Sequence, residues 1–195
     1  MIHSEQTLLQ GLVNAITPLT DEEWEAFVSI WSPLSVGRKE VLTAIGDTEK
    51  YLYVVLKGVQ RVYYLDESDR EAILVFSYPP SFGGVLDSFL LQQPSKYFFE
   101  TLTPSDFLRA SYADLDNLMQ QYKGIETLIR KGVTLATSGV LERLVELQCF
   151  SAEERFRALL KRSPHILQWV PHKYLANYLG MDATNFSKLM NKVKI

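Results

Sequence analysis

Cysteine, histidine and long apolar runs are scarce in this sequence, and each shortage closes off a class of protein. The single Cys149 excludes internal disulfides and cannot by itself build an iron–sulfur or structural zinc site. Without a second thiol to resolve it, Cys149 reads as a small core residue rather than a redox sensor. Two of the three histidines, His165 and His172, flank ILQWVP; they stand too far apart for a metal site and read as surface or capping residues. Residues 35–111 contain neither His nor Cys, so no haem ligand comes from that stretch. No run of about 18 apolar residues is present, so no helix has the length to span a bilayer. The opening MIHSEQTLLQGLVNAITPLT lacks the basic start, apolar centre and small-residue cleavage site of a secretory signal, which makes the cytoplasm the expected location. Gly83-Gly84 is too short for a phosphate-cradling loop. No nucleophile stands in a pattern with a base, so the sequence does not read as an enzyme.

What remains is the composition of a globular chain. Its 195 residues are 47% hydrophobic and 22% charged, enough for one large domain and a small one. The net charge of −3 is unevenly spread. Residues 151–195 hold eight Lys or Arg (Arg155, Arg157, Lys161, Arg162, Lys173, Lys188, Lys192, Lys194) against Glu153, Glu154 and Asp182. That tail is +5 and the preceding 150 residues are −8. A basic appendage on an acidic body attracts phosphate, although a solvated helix face has the same composition.

Three kinds of pattern follow one another. The N-terminal stretch predicts an amphipathic helix with Leu8, Leu9, Leu12 and Ile16 on one face, then a second helix, TDEEWEAFVSIW, capped by Thr20. From Ser35 to Ser111 the chain is rich in β-formers. YLYVVLKGVQRVYYL, broken by Gly58, is joined to REAILVFSY by the polar tip DESD, and YFFETL and DFLRAS follow. Short strands with turns every eight to twelve residues predict a sandwich or barrel, and the cluster Tyr51, Tyr53, Tyr63 and Tyr64 reads as strand packing.

From Tyr112 to Gln148 the pattern is helical. In the long segment Ile125, Ile129, Val133, Ala136, Val140, Leu144 and Leu147 recur every three or four residues, with Leu128, Leu135 and Leu141 widening the stripe. A helix of about 24 residues is ~36 Å long, more than a small β-domain covers. The surplus either packs on its own domain or meets a second copy of the chain, for which Gly132 and Gly139 permit close approach.

The last segment predicts three helices. Ser151 and Glu154 form a capping-box pattern, Pro171 marks a first turn, and Asp182 serves as an N-cap. Leu175, Ala176, Leu179, Gly180, Met181, Phe186 and Leu189 have the spacing of a helix-turn-helix, with Gly180 at the left-handed turn and Phe186 filling the gap between the helices. The second helix keeps a polar face of Thr184, Asn185, Ser187, Lys188, Asn191 and Lys192, suited to a major groove. A helical hairpin of no special function satisfies the same spacing.

In their order, these parts resemble the Crp/Fnr superfamily of bacterial transcription regulators. The stretch IGDTEKYLYVVLKGVQRVYYLDESDREAILVFSYPPSFGGVLDSFL is similar to that family's cyclic-nucleotide-binding roll, including Gly46-Asp47, Lys57-Gly58 and Phe82-Gly83. SAEERFRALLKRSPHILQWVPHKYLANYLGMDATNFSKLM resembles the variant common in Bacteroidetes regulators. The resemblance implies an α+β fold: an N-terminal antiparallel, jelly-roll-like β-roll with flanking helices (1–122), a long dimerisation helix (123–149) and a C-terminal helix-turn-helix (150–195) that stops after the recognition helix.

Two departures stand out. In the cyclic-AMP-binding members a glutamate after the Phe-Gly pair holds the ribose, and an Arg-Ser pair holds the phosphate. Here Gly84 falls at the glutamate, Ser95 at the arginine and Lys96 at the serine, unless Asp87 and Lys96 substitute from shifted positions. Losing two charge-assisted hydrogen bonds costs about 3–6 kcal/mol. The roll is therefore expected not to bind cyclic AMP in the usual way, and any small-molecule effector is of unknown identity. In the recognition helix, Ala183 and Thr184 stand where well-studied members read bases with Arg-Glu, while Lys188 matches a family arginine.

The resulting expectation is a homodimeric regulator with double-stranded DNA as partner, RNA polymerase as a further partner implied by the resemblance, and no membrane association. Its DNA-facing residues are Lys173, Asp182, Thr184, Asn185, Ser187, Lys188, Asn191 and Lys192. The effector set is Gly83, Gly84, Asp87, Ser95 and Lys96, and the dimer set is Ile125, Ile129, Gly132, Val133, Ala136, Val140 and Leu144. The rival reading is a ligand-sensing or protein-binding module of the same fold that has lost DNA binding.

Overall fold

A computed structural model describes residues 3–193 of the chain, so Lys194, counted in the basic tail, lies outside the described residues. Helices α1 (His3–Ile16) and α2 (Asp21–Ser29) come first. Thr20 caps α2 with the expected side-chain bond and adds a reciprocal one: Glu23 N–H donates to Oγ1 of Thr20 at 3.3 Å, and the Thr20 N–H donates to the Glu23 carboxylate at 3.0 Å.

Strands β1 (Ser32–Val36), β2 (Val41–Thr43), β3 (Tyr51–Lys57), β4 (Gln60–Leu65), β5 (Glu71–Ser77) and β6 (Ser81–Gly83) follow. After the short α3 (Leu86–Leu91) come β7 (Phe98–Thr101) and β8 (Ser105–Ser111). They form two antiparallel four-stranded sheets, ordered β1-β8-β3-β6 and β2-β7-β4-β5. The β4–β5 pair is the hairpin read from DESD, with Leu65 opposite Glu71. Gly58, between β3 and β4, has φ +88°, and a Cβ there would lie 2.6 Å from the Pro104 carbonyl, so no larger residue fits.

The alternation of β3 divides the core. Tyr53 and Val55 point between the sheets and meet Val62, Phe99 and Phe107, whereas Leu52 and Val54 point outward. That outward face is covered by Leu9 and Val13 of α1, by Phe27 of α2 and by the helices after the roll. These are α4 (Tyr112–Gln121) and the 27-residue α5 (Lys123–Cys149), ~40 Å long.

The first part of α5 packs into the core of the roll. Ile125 and Leu128 are fully buried there, and Ile129 packs partly against the same cluster. Ile125 is thus corrected from a dimer contact to a core residue of its own chain. Beyond Val133 the helix is held by the C-terminal helices through Arg143, which lies over the Tyr178 ring, and through Glu146, which pairs with Arg162, while Leu135, Val140, Leu141, Leu144 and Val145 are about half-exposed. Cys149 is also corrected: it is the last residue of α5 and is exposed, not part of a core.

The C-terminal helices are α6 (Ala152–Arg162), α7 (Ile166–Trp169), α8 (His172–Tyr178) and α9 (Ala183–Lys192). Ser151 and Glu154 make the expected capping box, whereas Pro171 sits at the N-cap of α8, one residue before the first turn. These helices do not stand apart. Phe156, Leu159, Tyr174, Leu175, Leu179 and Phe186 share one buried cluster with Val59, Tyr63, Ile73 and Leu102 of the roll. The order through the molecule is therefore helices, sheet, sheet, helices.

Candidate functional site

The interior of the roll is occupied by its own side chains. Tyr53 packs against Phe99 and Phe107, with both ring centroids 5.4 Å away. Beside it lies Glu49, only 1% exposed. Its Oε2 accepts from the Thr43 hydroxyl at 2.6 Å and from the Val85 N–H at 3.3 Å. Its Oε1 accepts from the N–H groups of Lys50 at 3.0 Å and Tyr51 at 3.3 Å. The Glu49 N–H in turn donates to Ser88 Oγ at 2.9 Å, so this one residue joins β2, β3, the turn into α3 and α3 itself. Burial pushes the Glu49 carboxyl above its ordinary pKa, while the four donors pull it part of the way back. Burial, assisted by the Glu49 charge, also raises the Tyr53 phenol.

Among the expected effector residues, Gly83 and Gly84 face this interior. A Cβ on Gly84 would lie 3.6 Å from Glu49 Oε2, and one on Gly83 would lie 3.3 Å from Phe99. Ser95 is buried, but its hydroxyl donates to the Tyr97 carbonyl at 2.7 Å and accepts from the Tyr97 N–H at 3.0 Å. Asp87 and Lys96 are both exposed, and neither makes a bond to the other or to the interior among the described residues. The five therefore do not converge on one cavity. Sequence reading missed Glu49, because an acid between Thr48 and Lys50 has the signature of a solvated turn.

The second candidate surface lies on α9. Gly180 adopts φ +63° in the turn after α8, as its position predicts. Asp182 caps α9, accepting from the Asn185 N–H at 2.8 Å and from Asn185 Nδ2 at 2.7 Å. Phe186 is fully buried, edge-on to Phe156 with centroids 5.5 Å apart. That anchor turns Thr184, Asn185, Ser187, Lys188 and Asn191 to solvent. Ser187 donates to the Ala183 carbonyl at 2.9 Å, which leaves its oxygen free as an acceptor.

The cations are less available than their number suggests. Lys192 pairs with Glu153 of α6 at 2.7 Å, and Arg157 pairs with the same carboxylate at 2.9 Å. Arg162 is bound bidentately to Glu146, and Arg155 donates to the carbonyls of Leu147, Phe150 and Gly180. Lys188 is exposed without a charge partner among the described residues, and Lys173 lies 4.7 Å from the Tyr174 ring centre at the start of α8.

Between the two surfaces is a polar junction that fixes α8 to the roll. Asn177 Oδ1 accepts from the Ile73 N–H at 2.8 Å, and its Nδ2 donates to the Glu71 carbonyl at 2.6 Å. Arg61, 5% exposed, pairs with Glu71 and Glu100, both at 2.7 Å, and lies between the rings of Tyr63 and Tyr174. Lys39 Nζ donates to the Tyr174 hydroxyl at 2.7 Å. Burial pushes the Tyr174 phenol up, but the Lys39 bond and the Arg61 charge outweigh it and hold the pKa below its ordinary value.

The roll and its interior now have a counterpart. Residues 33–122 match the family model described as a cyclic nucleotide-binding domain. No curated protein is similar to the chain in sequence. Solved structures share the fold of this domain and of the helices around it. FixK2 from Bradyrhizobium japonicum superposes with a TM-score of 0.72 at 17% identity, covering 84% of each chain. The c-di-GMP-responsive global regulator CLP of Xanthomonas campestris gives 0.64 at 19%, covering 89% of this chain and 91% of that one. The catabolite activator protein of Thermus thermophilus gives 0.57 at 19%, covering 91% and 84%. The matched segment thus sits in a mixed helical and antiparallel-strand fold like that of these solved structures.

Proposed function

We propose that the chain is a dimeric DNA-binding transcription regulator of the Crp/Fnr type, with α8 and α9 as its helix-turn-helix. One observation carries the reading. Helix α9 buries Phe186 and offers solvent a face of small polar side chains and Lys188, which has no charge partner among the described residues. Such a face satisfies base edges and phosphates, and it has no packing task within the chain. The apolar stripe of α5 supports pairing with a second copy, since Leu135, Val140, Leu141, Leu144 and Val145 are about half-exposed among the described residues. Within the dimer set this leaves Ala136, Val140 and Leu144 as central contacts, with Ile129, Gly132 and Val133 at the edge of the roll.

Paired α9 helices would enter successive major grooves about 34 Å apart. Selection from a pool of random duplexes tests this. Enrichment of an inverted repeat with half-sites about one helical turn apart supports the reading, and a pool that stays unenriched opposes it.

A second reading, in which the terminal helices dock a protein, is favoured by the internal pairing of Arg157, Arg162 and Lys192. It differs in requiring no salt-sensitive affinity for duplex DNA.

A further inference from the structure

Glu49 is a buried acid that neither the packing of the sheets nor the proposed DNA contacts require. The space between the sheets is filled by Tyr53, Val55, Val62, Phe99 and Phe107, so Glu49 is not needed there as apolar filling. Instead the chain brings four donors to one buried carboxyl group: the Thr43 hydroxyl and the N–H groups of Lys50, Tyr51 and Val85. Convergent donors of this kind are what a protein offers to an acidic ligand. Here they are already satisfied. The carboxyl group also stands against the backbone of Gly84, one face of the segment that continues into α3.

An acidic effector arriving between the sheets would therefore meet a buried carboxyl group already in place and donors with no remaining capacity. We infer that Glu49 is the roll's own occupant: its carboxyl group takes, from within the chain, the role of an effector's acidic group, and the roll keeps its arrangement of β2, β3 and α3 without an anionic ligand. The inference rests on the reading of the roll as the sensory part of a regulator, but its test uses no DNA, so the two can fail separately.

Glu49→Ala removes the γ-carbon and the carboxyl group, which together are the size and chemistry of one acetate ion. Thermal unfolding of the full chain is measured at neutral pH in equal concentrations of sodium acetate and sodium chloride. The expected result is a lower melting temperature for Glu49→Ala in chloride, recovery of half or more of the loss in acetate, and no acetate effect on the parent or on Glu49→Gln, whose amide still fills the space. Acetate acting no better than chloride on Glu49→Ala overturns the inference. If Glu49→Ala does not fold, the parent protein decides: an unchanged melting temperature with cyclic AMP and with inorganic phosphate upholds it, and a rise of several degrees with either overturns it.

Discussion

Asn177 stands beside Ile73 as a strand would. Its amide oxygen takes the Ile73 N–H at 2.8 Å, and its amide nitrogen reaches back to the carbonyl of Glu71 at 2.6 Å. β5 is the edge of its sheet, so an unpaired N–H and C=O there would otherwise be left for water or another chain. One side chain of α8 thereby closes part of the edge and ties the C-terminal helices to the roll. Asn177→Leu keeps the size but removes both bonds, and it is expected to destabilise the chain by about 1–3 kcal/mol. Urea unfolding reads this directly, and early cleavage between α7 and α9 in limited proteolysis is the matching local result.

Lys188 and Lys192 should behave differently although both lie on α9. Lys188→Ala is expected to weaken duplex binding and to flatten its logarithmic salt slope by about 0.9 per protomer, as for one lost phosphate contact. Lys192→Ala should do less, because that lysine is held by Glu153. Glu153→Gln then has the opposite sign: it releases Lys192 and Arg157 and should strengthen binding at low salt. Fluorescence anisotropy across a salt series measures all three.

Leu144→Glu and Ile125→Ala separate the two ends of α5. The exposed Leu144 contributes nothing to the chain's own core, so a charge there is expected to give folded monomers in sedimentation velocity. Ile125 is fully buried, and its truncation should cost about 2–5 kcal/mol of stability without changing the oligomeric state of the protein that remains folded.

The pH dependence of stability carries the sign of Glu49. Its folded pKa is raised by burial, so the folded state holds the proton more tightly than the unfolded chain does. This contribution is fully present below the ordinary value of 4.5 and is lost as pH rises through the raised value. Glu23 works the other way: the backbone bond from Thr20 lowers its pKa despite some burial, so its contribution is present above 4.5 and lost as pH falls through the lowered value. Subtracting the stability curve of Glu49→Gln from that of the parent should leave a component that declines with rising pH; a flat difference contradicts the assignment.

Much of the architecture was legible because local chemistry and tertiary packing agree. The Tyr-, Val- and Leu-rich run of β3, the N-cap at Thr20, the capping box at Ser151 and the Gly180–Phe186 spacing each specify a local geometry that the fold uses. The long helix is legible from Ile125 to Leu147, but its periodicity does not say which end meets the roll, so the pattern alone cannot separate the buried Ile125 from the half-exposed Leu144. The site residues were harder. Composition counts Arg157, Arg162 and Lys192 as free cations, while their carboxylate partners lie up to 39 residues away in sequence. Glu49 has no sequence signature, since the donors that surround it come from β2, β3 and the turn into α3 and are mostly backbone groups.

The most direct test of the whole account is the salt dependence of the parent protein's affinity for its selected duplex, measured together with stoichiometry. Two Lys188 side chains in one dimer give a logarithmic slope of about −1.8 from those contacts alone. The account predicts a slope at least that steep with two protomers per duplex. A slope near zero, or a single protomer per duplex, contradicts it.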